Sequence, residues 1–368
     1  MWRRRIVPSR KHCVPLFADV RQDAVMPVTI ATDRPPISAI IPTYNGLRFL
    51  PACLAALRAQ LLPHDEIILV DNASRDRAGA WARQHAPDVR VLELPYNTGF
   101  AGGTNAGIAV ARGELLLLIN DDALAEPGCV TALWQALRVT PGAGAAAGVL
   151  TFSRRPQIVA SAGIVFQRDG VATDLHLGAP VAALPSAPTP IFGASGGLAL
   201  LRRELIADIG PFAASFFSYL EDADLAWRAR LRGWEAVLAP TARARHVYSA
   251  TGAQGSPLKQ RLLARNRLRV IIRCLPAPLL RACLPHILAY DALALAYAAL
   301  RNEPAVAAGR LMALTEWPHL RAEHRAIQAR RTAPIGDLAR WIAPAGGPLA
   351  ALRTRRQLER LLAVNDEA

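Results

Sequence analysis

A chain of 368 residues that is 52% apolar and 20% charged can bury a substantial core, which excludes global disorder. Its net charge of +14 is almost wholly arginine, with lysine only at Lys11 and Lys259, and it points to anionic partners: phosphates, lipid headgroups or nucleic acid. The cysteines Cys13, Cys53, Cys129, Cys274 and Cys283 are scattered and form no CxxC pair, which argues against a disulfide framework or a thiolate zinc site and fits a reducing cytoplasm.

Residues 1–35 read as a weakly ordered tail. Residues 1–5 are basic, but 12–23 hold no apolar run long enough for a signal peptide, and Met26 is an alternative start. No stretch of 18 uncharged apolar residues occurs, so a membrane-spanning helix is not expected. The nearest approach, 284–300, is interrupted by Pro285, His286 and Asp291.

From 36 to 255 the chain alternates strand and helix patterns. Residues 37–41 form a β-branched strand closed by Pro42, and Thr43-Tyr44-Asn45-Gly46 leads into a helix over 47–60. A second strand over 66–70 ends at Asp71-Asn72-Ala73-Ser74, with a helix over 78–85. A third, over 89–94, precedes a glycine-rich loop from Asn97 to Gly107 and a helix ending near Ala111. The fourth strand, Leu115-Leu116-Leu117-Leu118-Ile119, is apolar throughout and stops abruptly at Asn120-Asp121-Asp122. Such a series predicts a parallel sheet with both faces covered, whose strand-end loops share one edge and one cleft. Two adjacent carboxylates there require a cation or a hydrogen-bond network. The glycine cluster is not GxGxxG, and it serves either that cleft or close helix-to-sheet packing.

Further on, a helix over 130–138 and a strand over 143–152 are expected. Gly193-Ala194-Ser195-Gly196-Gly197 matches the G-x-S-x-G of a serine hydrolase elbow, with Asp222 and His246 following in chain order. That reading leaves the upstream polar strand ends without a role. Ser218 and Glu221 have capping-box spacing at the start of a helix to about Arg232, and Asp224 can pair with Arg228. Asp222 has no such local partner and is the candidate general base. His246 follows a short strand over 236–238; if it meets Asp122, the pair suits Mn2+ or Mg2+ with diphosphate oxygens completing the shell.

From Ile37 to Val247 the chain resembles the glycosyltransferase family 2 enzymes, and especially their rhamnosyltransferase-like branch. The resemblance rests on Ile41-Pro42-Thr43-Tyr44-Asn45, Val70-Asp71-Asn72-Ala73-Ser74, the Asn97–Asn105 run, Asn120-Asp121-Asp122 and Glu221-Asp222-Ala223-Asp224-Leu225-Ala226-Trp227-Arg228. It implies an α/β fold of the GT-A class, a Rossmann-like mostly parallel sheet, with a helical appendage. It also implies transfer of a sugar, with inversion, from a UDP- or TDP-linked donor to a glycan or polyprenyl-linked acceptor.

By the same resemblance Pro42, Thr43, Tyr44, Asn45, Asp71, Asn97, Gly99, Phe100, Gly103, Asn105, Asn120 and Asp121 belong to the donor site. Asp122 and His246 hold a divalent metal, and Asp222 is the base. Glu221, Asp224, Trp227 and Arg228 stand on the acceptor side or support it. Asn120 replaces the first acid of the DxD-type motif, which removes one charged ligand. A sugar-nucleotide binding module without catalysis is the alternative that this exchange suggests.

Residues 256–368 read as a helical, basic and amphipathic region. The run from Lys259 to Arg273 suits either an anionic membrane surface or packing on the preceding domain with a solvated basic face. The arginines lack interleaved aromatics and no recognition motif occurs, so nucleic acid is not an expected partner. The implied location is cytoplasmic, at the inner face of the membrane.

Overall fold

The computed structural model describes residues 33–247 and 256–347, together with Leu358 and Leu361. The tail over 1–32 and the alternative start at Met26 lie outside the described residues.

The elements follow the chain as β1 (Ile37–Thr43), α1 (Leu50–Arg58), β2 (Glu66–Asp71), α2 (Ala78–His85), β3 (Val89–Glu93), α3 (Gly99–Val110) and β4 (Leu115–Ile119). Next come β5 (Ala123–Ala125), α4 (Cys129–Arg138), β6 (Ala143–Phe152), β7 (Arg155–Ser161), β8 (Ile164–Gln167), β9 (Ala172–Asp174), β10 (Thr189–Ile191) and β11 (Leu198–Arg202). They are followed by α5 (Arg203–Ile209), α6 (Glu221–Leu231), β12 (Glu235–His246), α7 (Pro257–Cys274), α8 (Ala277–Leu300), α9 (Pro304–Thr315), α10 (Trp317–Ala329), α11 (Ile335–Ala339) and β13 (Ile342–Ala343).

The main sheet has the order β10-β12-β6-β11-β4-β1-β2-β3. β1 pairs in parallel with β2 and β4, β2 with β3, and β12 with β6, whereas β11 runs antiparallel between β4 and β6. Strand alternation divides the apolar side chains between two faces. Leu115, Leu117 and Ile119 of β4 join Ile37, Ala39 and Ile41 of β1 under α1 and α4, while Leu116, Leu118 and Ile40 face α3 and α5. This double burial is why β4 reads as an unbroken apolar run.

Within the sheet domain two expectations change. The glycine-rich segment is helix from Gly99 onward rather than loop. A Cβ on Gly107 would lie 2.5 Å from Ile40 Cγ2, and one on Gly103 would meet Asn72 and Pro42, so these two glycines let α3 press onto the sheet. The strand expected over 236–238 extends to His246, because β12 pairs with β6 along its length and with β5 at its end.

The helices after 256 pack on the sheet domain. Three of the five arginines of α7 do not join a solvated basic face: Arg267, Arg269 and Arg273 are buried, while Arg261 is exposed. Arg267 pairs with Asp291, Arg269 with Glu316, and Arg273 with Asp224 and Glu323. In α8, Pro285 does not interrupt the helix, which runs 24 residues, contains an 18-residue stretch of mean hydropathy 1.4 and is long and apolar enough, by length and composition only, to cross a membrane. That corrects only the expected interruption at Pro285. Cys53, Cys129, Cys274 and Cys283 are free and buried.

Candidate active site

The polar strand ends do meet at one edge of the sheet. Thr43, last in β1, donates its hydroxyl to Asp121 Oδ2 at 2.5 Å. Gly46 is required beside them, since a Cβ there would overlap Asp121 Oδ2 at 1.8 Å. Burial, and then the charge of Asp122, push Asp121 up to about 7 against the pull of the Thr43 hydroxyl. The sheet carries His246 to Asp122. β12 pairs His246 with Ala123, Val247 N donates to Asp122 O, and His246 Nε2 sits 2.9 Å from Asp122 Oδ1 and 3.2 Å from Asn120 Nδ2. Burial alone would lower the imidazole pKa, but the Asp122 carboxylate raises it.

The loops after β1, β2 and β3 are tied to each other. Asn45 N donates to Ser74 Oγ, and Arg75 N donates to Asn45 Oδ1. Asp71 accepts from Ser74 N at 2.8 Å and Gly79 N at 2.9 Å, so its carboxylate shapes its own loop and the start of α2. Asn72 accepts from Thr98 N and donates to Gly99 O, joining the β2 end to α3. Pro42 and Tyr44 are half-buried alongside.

The start of α3 is less open than the donor-pocket expectation implies. Gly99 N donates to Asn97 Oδ1, Phe100 N to Ser218 Oγ and Ala101 N to Phe217 O, so these three amides are occupied within the protein. Asn105 spends its amide on the backbone of Phe212, at 2.8 and 3.0 Å, and holds the loop before α6 against α3.

Asp222 stands in the first turn of α6. Its Oδ2 accepts from Gly196 N at 3.2 Å and its Oδ1 from Ala223 N at 2.8 Å. Gly197, the next residue, accepts from Asn120 N at 3.1 Å, so the Gly196-Gly197 pair connects Asp222 to the Asn120-Asp121-Asp122 edge. An apolar crevice lined by Leu118, Phe192, Phe212 and Leu225 reaches Asp222. Burial pushes Asp222 up to about 6, with Asp174 adding to the rise and the Gly196 amide opposing it. Ser195 precedes strand β11 rather than a helix, so no nucleophile elbow is formed.

The capping box is absent. Leu220 occupies the N-cap position with left-handed backbone and Ser218 Oγ turns instead to Phe100 N. Glu221 is buried, its Oε2 has no hydrogen-bond partner among the described residues, and burial followed by the Asp222 charge holds it well above the usual carboxylate range. Asp224 pairs with Arg228 as expected. Arg228 also donates to the carbonyls of Ile209, Gly210 and Pro211, and Trp227 is enclosed by Phe166 and Phe192. Both serve packing around the α6 start.

Sequence reasoning missed Gly196, Gly197, Asp174 and Asn266. Asp174 on β9 pairs opposite Ile164, which is buried with Ala223 and Ala226 of α6, and its negative charge acts on both Asp222 and His246. Asn266, fully buried on α7, has Nδ2 at 3.0, 3.0 and 2.7 Å from the carbonyl oxygens of Phe216, Ser218 and Tyr219. Phe217, Tyr219 and Leu220 have φ of 66°, 72° and 65°, so the amide holds a loop of unfavourable backbone that leads directly to Asp222. Asn266→Ala is expected to cost about 1–3 kcal/mol in denaturant unfolding, because it strands buried carbonyls. Only the Asn266-Arg267-Leu268 string was visible in sequence, without any sign of its target.

The mixed sheet, the acid-bearing strand end and the helical C-terminal region define a GT-A glycosyltransferase fold. S. aureus TarS 1–349 in complex with UDP-GlcNAc superposes with a TM-score of 0.52 at 15% identity, over 80% of this chain and 90% of that one. GalNAc-T7 solved with UDP, GalNAc and Mn2+ gives 0.52 at 16% identity, over 66% and 48%. Residues 38–210 match the family Glycosyl transferase family 2. The chain thus carries a domain of that family over those residues. Over 241 residues it is 27% identical to the N-acetylglucosaminyl-diphospho-decaprenol L-rhamnosyltransferase of Mycobacterium tuberculosis, covering 58% of this chain and 76% of that one. The glycosyltransferase GlyG of Streptococcus pneumoniae is 34% identical over 103 residues, covering 27% and 34%.

Proposed function

We propose that the protein is an inverting glycosyltransferase that moves a sugar from a nucleoside-diphosphate donor to a hydroxyl of a polyprenyl-linked glycan acceptor. The acceptor would be presented at the inner face of the cytoplasmic membrane, in cell-envelope polysaccharide synthesis. The observation that carries the reading is the joining of Asp222 to the Asp121-Asp122 edge through Gly196 and Gly197. The proposed base is then held to the acidic edge by a short hydrogen-bonded link. The name of the M. tuberculosis relative supports a rhamnosyl donor and a lipid-linked acceptor.

In this reading Asp222 removes the proton of the acceptor hydroxyl as that oxygen attacks the anomeric carbon from the face opposite the leaving diphosphate. Asp121, fixed by Thr43, and the knitted loops at Asn45, Asp71 and Asn72 orient the nucleotide. Asp122 and His246 present a carboxylate oxygen and an imidazole nitrogen side by side, a donor set that fits Mn2+ or Mg2+. Among the described residues no group of three or more His, Cys, Asp or Glu that could hold a metal ion occurs, so diphosphate oxygens of the donor would have to complete the shell. When bound, the ion would neutralise charge developing on the diphosphate.

A thermal-shift screen of TDP- and UDP-sugars, with and without Mn2+, tests donor and metal together. The expected result is a rise in Tm with one sugar nucleotide that is larger with Mn2+ and lost on chelation. Binding with no transfer to any lipid-linked acceptor would favour the non-catalytic module instead.

A further inference from the structure

Among the described residues, all the exposed large apolar side chains except Tyr96 and Val139 lie between Leu258 and Trp317. Most belong to the α8–α9 hairpin: Leu284, Leu288, Leu293, Leu295 and Leu300 on α8, and Leu311, Met312 and Leu314 on α9. Leu288 is 59% exposed, Leu300 87% and Leu311 63%. Charge has been removed from this face. Between His286 and Arg301 the only charged residue is Asp291, and between Glu303 and Glu316 the only one is Arg310. Both turn inward, where Arg310 Nε donates to Asp291 Oδ1 at 2.7 Å and Arg267 Nη1 donates to the same carboxylate at 2.9 Å.

The border of the face is cationic. Arg281, Arg301, Arg321 and Arg325 are exposed, Arg321 lies over the ring of the half-exposed Trp317, and the acids Glu316 and Glu323 are taken up by Arg269 and Arg273. A bare leucine and alanine surface edged by arginine and an interfacial tryptophan matches a bilayer with anionic headgroups. A two-fold dimer through the same face would set arginine borders against each other, with no exposed acid on α8, α9 or α10 to answer them.

We propose that the outer face of the α8–α9 hairpin docks in the surface of an anionic lipid bilayer, lying in the interface plane. The inner face of α8 is committed to protein through Cys283, Ile287, Ala298 and the Asp291 ion pairs, which opposes its crossing the membrane. The basic helix α7, the segment that charge alone would select, is not the docking element. The inference deepens the membrane-side location proposed above, but it stands on α8 and α9 and not on the sugar chemistry.

The test is flotation of the full chain with vesicles of phosphatidylcholine, alone or with about a third phosphatidylglycerol. The wild type is expected to float with the anionic vesicles. Leu288→Glu combined with Leu311→Glu is expected to lower the bound fraction about tenfold, since it places charge in the apolar face. The same substitutions should leave the nucleotide-sugar thermal shift unchanged, which shows an intact fold. Leu300→Ser, at a more exposed position, provides a milder second variant and should weaken binding in the same direction.

Failure of the wild type to float, or equal flotation of the variants, would overturn the proposal. So would a wild-type dimer that these substitutions dissociate without any vesicle binding. Flotation without sugar-nucleotide binding would sustain the docking surface while refuting the transferase reading.

Discussion

Asp222→Asn is expected to lower kcat by about 10²–10⁴-fold, the range that a positioned general base contributes. Asparagine keeps the volume of the side chain and an oxygen that can still accept from Gly196 N, so fold and donor binding should persist. The loss should therefore appear in kcat, with the donor dissociation constant unchanged. Wild-type turnover in this variant would remove Asp222 from the role of base. A pH profile gives a second readout. The base must be ionised to accept a proton, and burial pushes Asp222 up to about 6. The rate of the wild type should thus be level above that pH and fall about tenfold per unit below it. The acid limb should vanish in the asparagine variant.

Asp224→Ala should destabilise the protein by about 3–5 kcal/mol, because it leaves the buried Arg228 guanidinium without its counter-charge and Arg273 with Glu323 alone. Asp224 is fully buried, with Arg228 Nε and Arg273 Nε each at 2.8 Å. Burial alone would raise its pKa, and the two arginines hold it below the ordinary carboxylate range instead. A depressed folded-state pKa means that this stabilisation is complete above the unfolded value of about 3.9 and is lost as pH falls through the folded one. Denaturant titrations of wild type and variant at neutral pH measure the difference. A change below about 1 kcal/mol, the range of an exposed pair, would show that the triad adds little.

The two predictions concern neighbouring residues of one helix turn that sequence could distinguish only in part. Asp224 has a visible i, i+4 partner in Arg228, but its second partner, Arg273, lies 49 residues away on α7. Asp222 stood out because no local partner was in reach. Ser218 and Glu221 had the spacing of a capping box, and the structure uses neither in that way. The left-handed backbone of Phe217, Tyr219 and Leu220 turns Ser218 toward α3 and sinks Glu221 into the protein. Local spacing cannot report such a turn, since Asn266 stabilises it from across the chain.

Periodicity and punctuation were enough for the first four strands, their helices and the edge on which the acidic loops converge, because buried strands and helix starts are set by local hydrophobic pattern and turn chemistry. The motifs were enough for the resemblance to the family whose domain matches residues 38–210. What only the tertiary structure decided is which groups face each other. The pairing of β12 with β5 and β6 brings His246 to Asp122, the Gly196-Gly197 link joins Asp222 to the acidic edge, and inward ion pairs draw three arginines of α7 into the interior while leaving α8 and α9 bare. Each of these depends on contacts between residues far apart in sequence, where the energy of burial and pairing outweighs what a helix or strand prefers alone.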